Sequence, residues 1–222
     1  MQRIPEPELM DDHEQAQAYA AADFEAANAS FVEQLEALYD GVALAGRVLD
    51  LGCGPADICI RLASRHPALD IHALDGSEAM LACARERLNR KPALAGRIQL
   101  LHERLPVRML PATSYDLIIS NSLLHHLHDP AVLWDTVRRF SHPGTRLLVM
   151  DLFRPDSPQL ARETVERYSA SEPQVLKTDF YNSLLAAFTP AEVSAQLTTA
   201  GLAALTVRTI SDRHLLVSGQ TG

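Results

Sequence analysis

The sequence predicts an α/β fold in which a doubly wound, mostly parallel sheet is flanked by helices. A short apolar run, RVLDL (residues 47–51), stops at glycines, as a buried parallel strand entering a tight turn does. A second apolar run (residues 69–74) follows one helix-length later, and strand-like runs alternate with amphipathic helical stretches from there on. At 222 residues, the chain is long enough to bury the core of one domain.

Residues 7–39 precede the first strand and read as helix. Phe31 and Leu35 recur at helical spacing and are expected to pack on the core. Tyr19 in the same stretch is a candidate for contact with a substrate. The sequence therefore predicts an N-terminal helical cap.

The first strand leads into GCGP (residues 52–55), and Asp57 is expected to cap the helix that follows. The turn has only two of the three glycines of the dinucleotide-binding pattern G-x-G-x-x-G, because position 57 is an aspartate. The third glycine lets the helix pack closely beneath a pyrophosphate, so its absence argues against NAD.

The second strand ends at Asp75-Gly76, and Ser77 is expected to cap the next helix. An acidic side chain at this strand end, about 20 residues after the glycines, suits the hydroxyls of a ribose. The alternative is that Asp75 only forms a turn or a helix cap.

Further strands are expected at residues 97–101, 115–120 and 146–152, with a helix starting at Asp129-Pro130. Thr189 to Glu192 forms a capping box, and residues 202–210 and 214–217 are close enough to pair as a terminal hairpin. One domain is predicted over residues 1–222. Its parts are the cap (1–40), a cofactor-binding core (41–152), a substrate lid insert (153–189), and the last helix with the hairpin (190–222).

Composition narrows the class of partners. The formal net charge of −8 disfavours sequence-independent nucleic-acid binding, and no apolar segment is long enough to span a bilayer. The acidic N-terminal residues do not resemble a signal peptide. The three cysteines show no paired metal-binding spacing, and an odd number of cysteines suits a reducing compartment. A cytoplasmic protein that acts on a small molecule is expected, as a monomer or a homodimer.

The segment NSLLHHLHD (residues 121–129) carries three histidines directly after the fourth strand. A metal site is not expected, because the histidines come from one segment without a distant carboxylate or cysteine set. Acid–base chemistry suits histidine near neutral pH, and the alternative is that His126 is packed or bonded to backbone.

The runs VLDLGCGP (48–55), ALDGS (73–77), YDLIISN (115–121) and PGTRL (143–147) together resemble the landmarks of class I S-adenosylmethionine-dependent methyltransferases. The resemblance implies a Rossmann-like, seven-stranded sheet with an antiparallel last strand, and S-adenosylmethionine as cofactor. The turn would face the methionine part, Asp50 would help to hold its amino group, Asp75 would bind the ribose, and Arg104 departs from the small residue usual at the adenine. The cofactor-binding candidates are Asp50, Gly52, Cys53, Gly54, Asp75, Gly76, Ser77, Met80, Glu103, Arg104 and Asn121.

In plant-type O-methyltransferases a histidine in a similar His-x-x-x-Asp setting is the base, which places His125 in that role here, with His126 as a second catalytic candidate. Ligands of such sheets bind beyond the carboxyl ends of the strands, so substrate contacts are expected from the lid insert and the hairpin turn. The substrate candidates are Tyr19, Arg154, Asp179, Tyr181, Asn182 and Arg213.

The predicted reaction is methyl transfer to an oxygen, nitrogen, sulfur or carbon atom of a small metabolite. The alternatives are an NAD(P)-dependent oxidoreductase on a similar fold and a non-catalytic S-adenosylmethionine-binding protein.

Overall fold

The computed structural model describes residues 1–222 and contains one seven-stranded sheet in the order β3-β2-β1-β4-β5-β7-β6. All neighbouring strands pair in parallel except β7, which is antiparallel to both β5 and β6. The predicted fold class is confirmed, including the terminal hairpin. The strands are β1 (Gly46–Leu51), β2 (Leu69–Asp75), β3 (Ile98–His102), β4 (Tyr115–Asn121), β5 (Ser141–Leu152), β6 (Thr206–Thr209) and β7 (His214–Gln220).

Helices cover both faces of the sheet, because successive strand residues point to opposite sides. Val48 and Ile71 pack with one set of helices, whereas Leu49 and Leu74 pack with the other. The helices are α1 (His13–Ala21), α2 (Glu25–Ala37), α3 (Asp57–Arg65), α4 (Glu78–Asn89), α5 (Ala131–Phe140), α6 (Pro158–Ser169), α7 (Gln174–Ala186) and α8 (Pro190–Thr199). Short 3₁₀ turns lie at Pro92–Leu94 and Leu124–His126. No helix combines the length and the apolar character that crossing a bilayer requires.

Two predictions about helix ends are confirmed and one is wrong. Ser77 caps α4 through its hydroxyl, and Thr189 with Glu192 forms the capping box of α8. Asp57, in contrast, is the first residue of α3 rather than its cap. Ala56 stands at the cap position with φ +63°, and the Asp57 carboxylate forms an ion pair with Arg87 instead.

Residues 7–39 do not form one helix. Residues 1–12 run as an extended segment, here called the N-terminal strap, and α1 begins only after Asp12, whose side chain accepts from the backbone of Gln15. Prolines at positions 5 and 7 remove backbone donors that a helix needs, which favours the extended form. The strap crosses the carboxyl edge of the sheet: Ile4 bonds to Leu185 at the end of α7, and the Met10 carbonyl accepts from Ser77.

Candidate functional site

The turn after β1 is held against the end of β2. Gly52 and Gly54 have φ values of +75° and +52°, which glycine adopts at little cost. The backbone N–H groups of Gly52 and Cys53 both donate to the Leu74 carbonyl, at 2.8 and 2.9 Å. The glycine turn is therefore positioned directly beside Asp75.

Asp75 bonds to both turns that surround it. One carboxylate oxygen accepts from the Gly54 N–H and the other from the Ser77 N–H, each at 2.8 Å. Burial raises the pKa of Asp75, although these two hydrogen bonds oppose the shift. The carboxylate is thus fixed at the strand end, where its remaining lone pairs can accept from a ligand.

A cavity of about 140 Å³ opens over this turn, and we call it the cofactor cavity. Its lining includes most of the predicted cofactor-binding residues, namely Gly52, Gly54, Asp75, Gly76, Ser77, Met80, Glu103, Arg104 and Asn121. Leu9 and Met10 of the strap form one wall. The side-chain oxygen of Asn121 is buried there without a hydrogen-bond partner.

The donors and acceptors of this cavity fit S-adenosylmethionine. The Asp75 carboxylate suits ribose hydroxyls, the space beside the Gly54 Cα position is open, and the unpartnered Asn121 oxygen suits an ammonium group. Arg104 is turned toward the strap, where its guanidinium lies 3.4 Å from the Asp11 carboxylate.

Two cofactor candidates do not line the cavity. Cys53 is buried, and its thiol donates to the Gly54 carbonyl at 3.6 Å. Asp50 is 3% exposed, and its carboxylate accepts from the Cys59 thiol at 2.9 Å. Burial raises the pKa of Asp50 from 3.8 to about 7. Direct contact of Asp50 with a cofactor therefore stays a prediction.

A second cavity of about 330 Å³ adjoins the first, and we call it the acceptor cavity. Met10, Tyr19, Asn121, Ser122 and His126 line both cavities. The remaining walls come from residues 22–28, the 3₁₀ turn after β4, β5, α6, α7 and the hairpin turn, and include Asn28, His125, Tyr168, Asp179, Phe180 and Arg213. The shared residues Asn121 and Ser122 lie at and directly after the carboxyl end of β4.

The two catalytic candidates form a buried cluster with two carboxylates. His125 Nδ1 lies 2.5 Å from an Asp151 oxygen, and both side chains are almost fully buried. Glu6 of the strap brings Oε1 to 3.6 Å from His125 Nε2 and 3.3 Å from His126 Nδ1.

Burial opposes protonation of His125, but Asp151 outweighs it and the pKa of His125 is raised. Burial lowers the pKa of His126 to about 3, and the neighbouring His125 adds to that shift. Burial also raises the pKa of Glu6. The cluster thus combines imidazole and carboxylate groups in a setting that excludes water.

Of the substrate candidates, Tyr19, Asp179 and Arg213 line the acceptor cavity. Arg213 stacks on the Tyr168 ring at 3.4 Å from its centroid, and Asp179 accepts from Gln15.

The other three substrate candidates do not line the acceptor cavity, and their role in substrate binding stays a prediction. Arg154 is buried, and its guanidinium donates to the carbonyls of Met1 and Ala187 and to Glu192, so it joins the strap to α8. Tyr181 accepts from Arg162 between α6 and α7, and Asn182 is exposed outside the cavity.

Sequence reasoning missed Asp151 and the strap residues Glu6, Leu9 and Met10. Asp151 had a usable signal, because it is an acidic residue near the carboxyl end of a predicted apolar strand. No sequence pattern indicated Glu6, since only the path of the strap brings it to the histidines.

Comparison with known proteins finds similarity to methyltransferases. A family model described as a methyltransferase domain matches residues 49–147. An uncharacterised methyltransferase of Mycobacterium bovis is 31% identical over 122 residues, covering 54% of this chain and 58% of the relative. A trans-aconitate 2-methyltransferase of Methylobacterium nodulans is 35% identical over 133 residues, covering 60% of this chain and 47% of the relative.

Among solved structures, a SAM-dependent methyltransferase of Aquifex aeolicus superposes with a TM-score of 0.67 at 17% identity, covering 93% of this chain and 97% of that one. The alignments with the curated relatives thus span about half of each relative's length. The likeness to the solved structure shows a shared fold.

Proposed function

We propose that this chain, whose residues 49–147 match a methyltransferase-domain family model, is a class I methyltransferase that transfers the methyl group of S-adenosylmethionine to a nucleophilic atom of a small molecule. The observation that carries the proposal is that the two cavities share Asn121, Ser122 and His126 among their lining residues. This junction is where a donor bound over the glycine turn meets an acceptor.

The cofactor, when bound, supplies an electrophilic methyl group on a sulfonium. Gly52 and Gly54 would leave room for the methionine end at the turn, Asp75 would accept from the ribose, and Asn121 would accept from the ammonium. Methyl transfer mainly requires that the protein align the acceptor with the methyl group and exclude water, and the walls of the two cavities would do both.

His125 and His126 are the proposed catalytic groups, because both border the acceptor cavity and His126 borders the cofactor cavity as well. General-base action by His125 stays a prediction, supported by the Asp151 carboxylate that orients its ring.

The charges of the acceptor cavity favour a neutral or cationic substrate. Asp23, Glu172 and Asp179 contribute carboxylates, whereas Arg213 contributes the only guanidinium, which already stacks on Tyr168. A polyanion such as the acid named for the Methylobacterium nodulans relative would face three like charges here. Neutral phenols and alcohols, amines and thiols are therefore the proposed acceptors.

The test has two stages. Calorimetry with S-adenosylhomocysteine and, separately, NAD should give binding for the first alone; NAD binding without S-adenosylhomocysteine binding would overturn the proposal. Transfer of labelled methyl to a panel of phenols, amines, thiols and carboxylates should then show product, with Asp75→Ala as the negative control. Tight S-adenosylhomocysteine binding with no transfer across the panel would instead identify a non-catalytic binding protein.

A further inference from the structure

Three side chains from opposite parts of the chain aim ligand atoms at one point. Oε1 of Glu6, a ring nitrogen of His125 and a ring nitrogen of His126 all lie within 4.8 Å of one another. The two separations from Oε1, 3.6 and 3.3 Å, match the spacing of about 3.3 Å between ligands of a tetrahedral ion with bonds of about 2.0–2.1 Å.

Two of these atoms have no other partner. Glu6 Oε1 and His126 Nδ1 are buried and have no hydrogen-bond partner, and they face each other at 3.3 Å. Unpartnered buried acceptors carry a free-energy cost that a bound cation removes. The arrangement therefore has the form of a ligand set rather than that of a hydrogen-bonded pair.

Asp151 orients the His125 ring. His125 Nδ1 bonds to an Asp151 oxygen at 2.5 Å, while the other Asp151 oxygen accepts from the Leu124 N–H at 2.7 Å. With Nδ1 donating, the lone pair of Nε2 points toward Glu6. A carboxylate that bonds to the far nitrogen of a metal-binding histidine is the usual support of such a ligand.

We propose that Glu6, His125 and His126 bind a divalent first-row transition-metal ion, with open coordination positions toward the acceptor cavity. Two imidazoles and one carboxylate suit Zn²⁺, Fe²⁺ or Co²⁺, whereas Mg²⁺ and Ca²⁺ prefer all-oxygen sites. The sequence alone argued against a metal because the histidines lack a distant carboxylate, and the strap supplies that carboxylate.

Two consequences follow. The ion pins the strap across both cavities, because Glu6 belongs to the strap and the histidines to the loop after β4. Resting on the proposed function, the ion also stands where it can polarise an acceptor hydroxyl or thiol. Metal binding and base action by His125 exclude each other, since both use the Nε2 lone pair.

The test uses the untagged full chain, stripped with a chelator and titrated with Co²⁺, Zn²⁺ and Mg²⁺ by calorimetry. Co²⁺ and Zn²⁺ should bind at one ion per chain, Co²⁺ should develop visible d–d absorption, and Mg²⁺ should give no binding. Glu6→Gln and His126→Ala should each weaken Co²⁺ binding at least tenfold.

His142→Ala is the control, because His142 is a partly exposed histidine whose ring lies 3.4 Å from Asp116 at the amino ends of β4 and β5, at the sheet edge opposite the loop after β4. This variant should bind Co²⁺ like the wild type. Circular dichroism and S-adenosylhomocysteine affinity establish that each variant is folded. Absence of stoichiometric Co²⁺ and Zn²⁺ binding, or folded Glu6→Gln and His126→Ala proteins that bind like the control, would overturn the metal site. The same measurements would leave the cofactor proposal standing if S-adenosylhomocysteine still binds.

Discussion

The two glycines of the turn after β1 differ in their surroundings, and this difference makes a sharp test of where the cofactor lies. A Cβ added to Gly54 meets no protein atom within 4 Å, whereas one added to Gly52 comes to 3.0 Å from Leu123. Gly54→Ala therefore adds only the backbone cost of a left-handed alanine, about 1–2 kcal/mol. For a domain of this size, that loss lowers Tm by about 2–8 °C.

The same methyl group projects into space that a ligand over the turn would use. Crowding of this kind costs about 1–3 kcal/mol, which weakens S-adenosylhomocysteine binding about 5- to 150-fold. The variant should thus stay folded at room temperature while its Kd rises. Calorimetry gives the Kd, and a thermal melt without ligand gives the change in Tm.

Gly144→Ala is the matched control. Gly144 also has a positive φ, +90°, and open space around its Cβ position, but it lies near the start of β5, far along the chain from the turn. This variant should lose a comparable amount of stability and keep its S-adenosylhomocysteine affinity. If Gly54→Ala binds S-adenosylhomocysteine as tightly as the wild type, the cofactor does not lie over this turn.

Three further predictions concern Asp75, Asp50 and the strap. Asp75→Asn should raise the Kd for S-adenosylhomocysteine about 10- to 100-fold, because it removes one charged acceptor worth about 1.5–3 kcal/mol; an unchanged Kd in calorimetry would contradict the ribose assignment. Burial raises the pKa of Asp50 from 3.8 to about 7, and the negative charge of Asp75 adds to this shift. The Asp50 carboxylate accepts from the Cys59 thiol. Between about pH 4 and pH 7, Asp50 therefore keeps a proton in the folded chain that it releases in the unfolded chain. The stabilisation from this proton is complete below about pH 4 and is lost as pH rises through 7. Asp50→Asn should remove a slope of up to about 1.4 kcal/mol per pH unit from urea unfolding between pH 5 and 7, and retention of the wild-type slope would refute this reasoning. Arg3→Lys should loosen the strap and lower stability by about 1–3 kcal/mol, since Arg3 donates to three backbone carbonyls that one ammonium cannot span; unchanged hydrogen exchange over residues 1–12 would count against it.

The cofactor side of the site follows from local pattern. A strand that stops at Gly52, a second strand that stops at Asp75 and the helix cap at Ser77 are each recognisable within a few residues of chain. The parallel pairing of β1 with β2 then places them together, because carboxyl ends of adjacent parallel strands share one edge.

The acceptor side depends on contacts that local pattern does not encode. Arg154 sits in the insert where substrate contacts were expected, yet its guanidinium is used to join Met1, Ala187 and Glu192. Asp57 has the residue type of a helix cap, but the turn enters α3 through Ala56 and leaves Asp57 free to pair with Arg87.

The sequence by itself predicted the sheet, the glycine turn, the acid at the end of β2 and the resemblance to methyltransferases, since hydrophobic period, turn chemistry and strand ends are properties of neighbouring residues. Only the tertiary structure decided the surroundings of His125, where Asp151 arrives from β5 and Glu6 from the strap. Those two carboxylates meet the histidines because the chain folds back across the sheet edge. Burial then strengthens the electrostatic interactions of these two carboxylates with the histidines, because the surrounding dielectric constant is low.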